Sequence, residues 1–206
     1  MKTSLLKPGQ HLLSAAVNAA DCLTAKTGKP PRLKKIAKVL GIKKKALKVV
    51  IPDRNYLLCV MADTALQRLL HMITQEIAAS SPCSPVRQLE AVAEAYIEWA
   101  RLYPHEFYTL AQMPAALFQA NPHLLRYEES IHEMVIKMFT RAQDEGYLAP
   151  DEDLAKLRAI SHTYLYGIIS KMMLSDLNRW TPGFNDPNTA RAAVQMFNAR
   201  FFRKQQ

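Results

Sequence analysis

The sequence predicts an all-α fold, in which a small N-terminal three-helix domain with a helix-turn-helix precedes a larger helical domain. Apolar residues recur with a period near 3.6, and no segment shows the apolar–polar alternation of a strand. Only 6 of the 206 residues are Gly, whereas Ala, Leu, Met and Lys, which favour helices, are abundant. We place the two domains at residues 1–55 and 56–206.

Prolines, glycines and capping residues mark where the helices should begin and end. Asp53 has the side chain of a good N-cap, and Gly41 and Gly146 can adopt the positive φ that closes a helix. Pro52 and Pro122 stand at expected breaks or first turns. The predicted helices cover residues 8–27, 33–40, 43–50, 54–79, 86–102, 105–119, 122–145, 151–179 and 187–204.

The predicted helices at 33–40 and 43–50 have the size and the Gly41 connection of a helix-turn-helix. Ile36 and Leu47 supply apolar contact between them, so the outer face of the second helix stays free for a nucleic-acid groove. Lysines dominate that outer face, and lysines can neutralise phosphates. The candidate DNA-binding residues are Arg32, Lys34, Lys43, Lys44, Lys45, Lys48 and Arg54.

Charge is distributed unevenly along the chain. Residues 1–60 hold thirteen basic residues against two acidic ones, a net charge of +11, whereas residues 61–206 hold fourteen against sixteen, a net charge of −2. A basic head indicates a polyanionic partner, nucleic acid or an anionic membrane surface, although a lysine-rich face can also serve solubility alone. Because no membrane span and no signal peptide are visible, we expect a cytoplasmic protein that binds DNA and no membrane.

Several short motifs follow one another within residues 16–58. In order, they are Ala19-Ala20, Leu23, Gly28, Leu33-Lys34-Lys35-Ile36-Ala37, Leu40-Gly41-Ile42, Ala46-Leu47, Ile51-Pro52-Asp53-Arg54 and Leu57-Leu58. Their order and spacing resemble the N-terminal domain of TetR-family transcriptional regulators. The resemblance implies a homodimer of nine- or ten-helix subunits that binds a double-stranded DNA operator. It also implies a C-terminal ligand pocket, in which a small-molecule effector usually causes release of the operator.

The chain departs from the family pattern around its recognition helix. Arg32 replaces the usual Ser or Thr cap, Lys45 replaces the usual Gly, and Lys48 and Val50 stand at usual aromatic positions. Lysine clusters contact mainly phosphates. We therefore expect strong salt dependence and reduced base specificity in DNA binding.

Aromatic, Met and His residues accumulate in the helices after residue 57. Such residues predict an apolar cavity with a few polar groups, the usual composition of a ligand pocket in a helical bundle. Ordinary core packing would produce the same composition. The candidate ligand-binding residues are Tyr96, Trp99, Met113, His132 and His162.

The last two predicted helices carry apolar stripes, and the second of them ends in several Phe residues. We expect a partner subunit to cover these stripes, with docking inside the same subunit as the alternative. The candidate dimer-interface residues are Leu165, Ile169, Val194, Phe197 and Phe201.

Enzyme and metal motifs are absent from the sequence. There is no Gly-rich phosphate loop, and the Glu129-x-x-His132 spacing lacks the second copy that a di-iron bundle needs. We therefore predict no enzyme, no catalytic residue, no metal and no cofactor. Cys22, Cys59 and Cys83 are too widely spaced for a disulfide or zinc framework, and we expect buried thiols.

These features favour a DNA-binding transcriptional regulator, a repressor that a small apolar or aromatic molecule releases from its operator. Two alternatives stay open. One is a helical protein that associates with DNA or a membrane without sequence preference. The other is a helical enzyme or ligand carrier with a basic N-terminal head.

Overall fold

The computed structural model describes residues 8–80, 84–180, 182–183 and 185–203. These residues form ten helices and no strand, so the all-α prediction is confirmed. The helices are α1 (Pro8–Thr27), α2 (Leu33–Val39), α3 (Lys44–Leu47), α4 (Arg54–Ala79), α5 (Pro85–Leu102), α6 (Pro104–Ala111), α7 (Ala115–Gln119), α8 (Pro122–Asp144), α9 (Leu154–Met173) and α10 (Asp186–Phe201).

Several helix ends have the caps that the sequence predicts. The Asp53 carboxylate accepts a hydrogen bond from the Tyr56 N–H at 2.8 Å and so caps the start of α4. Gly41 and Gly146 follow α2 and α8 with φ values of +65° and +76°. A side chain at either glycine would be strained in this left-handed conformation, which explains why glycine stands there.

Three predicted helices differ from the observed ones. The helix predicted over residues 43–50 is observed as the four-residue α3, because the Val49 and Val50 N–H groups bond to carbonyl oxygens three residues back. The segment 105–119 is split into α6 and α7, because Pro114 takes an extended conformation and cannot donate a backbone hydrogen bond. Helix α9 ends at Met173 rather than at residue 179, since Ser175 adopts φ +53° and its N–H bonds to the Met172 carbonyl oxygen at 3.0 Å. The predicted end of the last helix, residue 204, lies outside the described residues.

The chain forms two compact units. Unit 1 contains the described residues up to Leu66 together with Tyr103–Leu125. Unit 2 contains Gln67–Leu102 and the described residues from Arg126 onward. Helices α4 and α8 each contribute to both units. The two units are defined by contacts between residues. Whether residues 1–55 and 56–206 fold as separate domains stays a prediction.

Unit 1 has an apolar core shared by α1, α2, α3 and the beginning of α4. Ala16 and Ala20 are fully buried, and their small side chains let α2 approach α1 closely. Ile36, Leu47 and Leu57 from the following helices are also fully buried. Helix α3 has only four residues, too few for a stable isolated helix, so its position depends on this core.

Helix α6 packs against α1 within unit 1. Phe107 and Thr109 are buried, and the Gln112 side-chain amide donates a hydrogen bond to the Gly28 carbonyl oxygen. The first turn of α8 is tied to α4 by an interaction of 2.6 Å between His123 Nδ1 and Asp63 Oδ1. The helix-turn-helix therefore belongs to a larger unit that includes residues distant in sequence.

Unit 2 is built around α5, which packs against α9 and α10. Trp99, Phe139 and Ile169, from α5, α8 and α9, are almost completely buried. The Arg191 guanidinium of α10 binds both carboxylate oxygens of Glu94 on α5, at 2.8 and 2.9 Å from Nε. This pairing fixes the register of α10 along α5.

Two of the three cysteines, Cys22 and Cys59, lie within the described residues. The expectation of buried thiols is wrong for Cys22, which is exposed on α1, whereas Cys59 is half-buried. Cys83 lies outside the described residues. Within the described ranges, no helix combines the length and the apolar character needed to cross a bilayer.

Candidate nucleic-acid interface

The turn between α2 and α3 is closed by backbone hydrogen bonds. The Gly41 N–H bonds to the Lys38 carbonyl oxygen at 3.3 Å, and the Ile42 N–H bonds to the Ala37 carbonyl oxygen at 3.0 Å. These two bonds, together with the positive φ of Gly41, form a Schellman motif. The turn thus sets the direction in which α3 leaves α2.

The recognition segment, which we define as residues 43–50, is anchored by Leu47. Leu47 is fully buried, and the neighbouring Ile51 is fully buried as well. The helical path continues past α3, because the Lys48 N–H bonds to the Lys44 carbonyl oxygen at 3.0 Å and the Val49 N–H to that of Ala46 at 3.3 Å. The side chains on the face opposite Leu47 therefore project away from the core.

All seven predicted DNA-binding residues are exposed in unit 1. They are Arg32, Lys34, Lys43, Lys44, Lys45, Lys48 and Arg54. In the described part of the chain, none of them forms a salt bridge with an Asp or Glu. Arg54 donates a hydrogen bond of 3.4 Å to the Pro30 carbonyl oxygen. The surface is strongly positive, and its cations are accessible to an anionic partner.

Helix α2 carries two further exposed cations, Lys35 and Lys38, which were not among the predicted residues. Lys38 lies four residues after the selected Lys34, a spacing that places both on one helix face. That periodicity was the signal that could have identified it. The positive surface is accordingly wider than the seven selected residues.

Four of the five predicted ligand-binding residues lie in unit 2, and the fifth, Met113, lies in unit 1. The Tyr96 and Trp99 rings have centroids 5.5 Å apart, and the His132 and His162 rings meet edge-on at 6.4 Å. Trp99 is fully buried, so it has no accessible surface in this structure for a ligand.

The two histidines belong to a polar-aromatic cluster that also contains Tyr96, Glu128 and Tyr166, of which only Tyr96 and the histidines were predicted. Tyr166 stacks on His162 at 6.3 Å. Desolvation, followed by the proximity of Tyr166 and Glu128, raises the pKa of Tyr96 above its ordinary value. Glu128 and Tyr166 each lie four residues from a predicted histidine, and this helical spacing was the signal that could have identified them.

The pKa of His162 is lowered, first because the surrounding protein desolvates its ring and then because His132 is nearby. Glu128 opposes this shift, whereas Arg158 adds to it. A lowered pKa favours the neutral imidazole near neutral pH, in which one ring nitrogen donates and the other accepts. Together with the protonated Tyr96 phenol, the cluster presents both hydrogen-bond donors and acceptors.

A separate cleft of about 230 Å³ lies between α4, α5 and α10 in unit 2. Its charged lining residues are Glu76, Arg87, Glu90, Glu94 and Arg191. None of the predicted ligand-binding residues lines it. The described residues contain no group of three or more His, Cys, Asp or Glu side chains arranged to hold a metal ion.

The predicted dimer residues divide into buried and accessible ones. Ile169 and Val194 are buried by unit 2 itself, Leu165 and Phe197 are half-buried, and Phe201 is 45% exposed. The ring of Phe197 stacks with that of Phe201 at a centroid distance of 4.4 Å and with that of Tyr164 at 4.7 Å.

The outer surface of α9 and α10 contains exposed apolar residues, of which only Phe201 was among the predicted dimer residues. The exposed members are Ile160, Tyr164, Met196 and Phe201. We call these four residues the aromatic face, because Tyr164 and Phe201 form its stacked row together with Phe197. Exposure could not be inferred from sequence periodicity, since both sides of α9 are apolar.

Neither a protein-family model nor a curated protein sequence matches this chain. Solved structures match it over nearly its whole length. The fatty acid degradation regulator FadR from Bacillus halodurans has a TM-score of 0.71 at 10% identity, covering 95% of this chain and 97% of that chain. The TetR-family regulator PfmR from Thermus thermophilus has a TM-score of 0.66 at 17% identity, covering 90% of this chain and 97% of that chain.

A third similar structure is that of the ketosteroid transcriptional regulator KstR2 of Mycobacterium tuberculosis. Its TM-score is 0.63 at 14% identity, and 97% of each chain is covered. Identities this low establish a shared fold, and a fold alone does not determine function. The helix-turn-helix, the all-α architecture of the described residues and these similarities show that this chain has the fold of the TetR-family transcriptional regulators, as the sequence resemblance predicted.

Proposed function

We propose that this protein is a DNA-binding transcriptional regulator, a homodimer whose hold on an operator is released by a small molecule bound in unit 2. The observation that carries this proposal is the set of seven exposed cations around the helix-turn-helix, none of which pairs with a described carboxylate. Such cations bind a phosphate backbone and release its counterions.

The placement of these cations supports a phosphate partner over a role in solubility alone. Arg32 and Lys43 occupy the N-cap positions of α2 and α3 without making a capping hydrogen bond. Positive charge at a helix N-terminus is unfavourable, because the macrodipole is positive there too. An arrangement that costs stability in the free protein becomes favourable when phosphates lie next to it.

The aromatic face supports the homodimer. Met196 is 66% exposed and Ile160 is 52% exposed, which is unusual for such large apolar side chains in a monomer. A second copy that packs through the same face would bury them in a two-fold interface. Two recognition segments related by a two-fold axis would then address two half-sites of one operator.

The polar-aromatic cluster supports a small-molecule effector that is mainly apolar or aromatic. His132, His162 and Tyr96 supply hydrogen bonds beside aromatic surface. Of the similar structures, FadR is named as a fatty acid degradation regulator and KstR2 as a ketosteroid transcriptional regulator. Release would require the effector to favour a subunit arrangement that no longer matches the half-site spacing.

The test is DNA binding measured over a range of salt concentrations. The purified protein is titrated with the DNA upstream of its own gene and with random DNA of equal length. We expect the upstream fragment to be preferred at physiological salt. Equal and steeply salt-dependent binding would instead support a DNA-associating protein without sequence preference, and absence of binding would support a ligand carrier.

The protein without sequence preference is the second candidate function. The observation that favours it is the composition of the recognition segment, whose exposed polar side chains are lysines. Lysines bind phosphates regardless of sequence. The two candidates therefore differ in whether any side chain of this segment distinguishes one base pair from another.

A further inference from the structure

Val49 is the most exposed large apolar side chain in the described part of the chain. It is 81% exposed, and it lies in the recognition segment between Lys48 and the half-buried Val50. Single exposed apolar side chains are common on protein surfaces, so it is the position of Val49 among the cations of the recognition segment that bears on its role.

The helical path of the recognition segment determines the direction of this side chain. Leu47 is fully buried, and successive residues of a helix are about 100° apart around the axis. Residues two positions before and two positions after Leu47 therefore lie nearly opposite the core. These residues are Lys45 and Val49, which are four positions apart and form the outermost pair of the segment.

We infer that Val49 contacts the 5-methyl group of a thymine in the major groove and thereby gives the protein base discrimination. The inference rests on the proposed function, since it needs the recognition segment to enter a groove. The thymine methyl is the apolar group that the major groove presents, and aliphatic side chains recognise thymine through it. Lys45 and Lys48, four positions and one position before Val49, place positive charge beside it, as expected for a surface that binds phosphates.

Val39 provides a matched control. It is an exposed valine of the same unit, 58% exposed, at the last position of α2 and outside the recognition segment. Because both valines are exposed, replacing either by Ala should leave the core and the helix content unchanged. Any difference in DNA binding between Val49→Ala and Val39→Ala can therefore be attributed to the location of Val49 in the recognition segment.

The experiment has two stages. Preferred duplexes are first selected from a random pool with the wild-type full chain at physiological salt. Each thymine of the selected site is then replaced by uracil, which lacks only the 5-methyl group, and affinity is measured by fluorescence anisotropy. We expect one position in each half-site to lose about fourfold in affinity, the effect of burying one methyl-sized group.

The variants assign that loss to a residue. Val49→Ala, which removes the two γ-methyl groups, should show a smaller difference between the thymine and uracil duplexes than the wild type, whereas Val39→Ala should retain the fourfold difference. Uracil sensitivity that is undiminished in Val49→Ala would overturn the assignment to Val49.

Two further outcomes separate this inference from the proposed function. A pool in which no sequence is enriched would overturn both, because base discrimination is then absent. An enriched site whose affinity is unchanged by every uracil would overturn the Val49 contact alone and leave sequence-specific DNA binding intact.

Discussion

The starts of α2 and α3 differ from those of α4, α9 and α10 in what occupies the capping position. The latter are capped by Asp53, Asp153 and Asn185, whose side chains accept backbone N–H hydrogen bonds of 2.8 to 3.1 Å. Helices α2 and α3 have Arg32 and Lys43 there, with no capping hydrogen bond. Helices α6 and α7 also begin without a side-chain cap, at Tyr103 and Pro114, so the feature particular to α2 and α3 is that a cation occupies the uncapped position.

The largest expected effect is on DNA affinity. The double variant Lys45→Ala/Lys48→Ala should bind DNA at least about tenfold more weakly, and the log–log slope of its salt dependence should fall by about 0.9 for each phosphate that is no longer neutralised. Titration at several salt concentrations measures both quantities. The charge-matched control is Arg126→Ala/Lys137→Ala in unit 2, where both side chains are exposed and neither forms a salt bridge with a described carboxylate. Equal reductions in the two double variants would mean that net charge, rather than this surface, binds DNA.

The next effect is on stability at a capped helix. Asn185→Ala removes the acceptor for the Asn188 N–H, and it should lower the free energy of unfolding by about 1 kcal/mol. Denaturant titration followed by circular dichroism provides the measurement. Asn18→Ala, at an exposed position inside α1, is the control and should cause no loss. A comparable loss in both variants would argue against a capping role.

A capping residue introduced at the start of α3 should raise the stability of the protein and lower its affinity for DNA. Lys43→Ser supplies a hydroxyl acceptor and removes a cation, so we expect a gain of about 0.5 kcal/mol in stability together with weaker DNA binding. Lys43→Ala separates these effects, since it removes the cation and adds no acceptor. Thermal unfolding and DNA titration measure them. A Lys43→Ser variant that loses stability would contradict the expectation that the serine hydroxyl caps the first turn of α3.

The smallest effect concerns pH and the Asp153 cap. The pKa of Asp153 is lowered, first by the Lys156 backbone N–H and then by the Lys156 side chain. Because the folded-state pKa lies below the unfolded one, this stabilisation is complete above the ordinary Asp pKa of about 4 and is lost as pH falls through the lowered value. Asp153→Asn keeps an acceptor but does not titrate. The stability difference between the wild type and this variant should be larger at pH 7 than at pH 3, and a pH-independent difference would contradict the role of the charge.

Helix positions were predictable where local chemistry dominates. Residues 8–27 form α1 as predicted, and Asp53, Gly41 and Gly146 occupy the helix ends at which they were expected. Helix α9 was predicted too long, because Ser175 takes a left-handed conformation that is uncommon for serine and has no sequence signal. Pro114 had such a signal, but a proline can equally begin a helix or interrupt one.

Burial was harder to predict than helix position. Periodicity identified Ile169 and Val194 as apolar stripe residues, yet unit 2 buries both of them and leaves Met196 and Ile160 exposed. An apolar pattern states that a face avoids water and does not state which neighbour covers it. The same limit explains why Met113 was grouped with the unit 2 aromatics although it lies in unit 1.

By itself, the sequence determined the all-α class, most helix ends and a basic head, since these follow from propensity, capping and charge within a few residues of the chain. Only the tertiary structure decided that α6 and α7 join the helix-turn-helix in one unit, that His132 and His162 meet, and that Val49 projects outward beside Lys45. The physical reason is that such contacts depend on how distant helices pack, and packing is a property of the complete core.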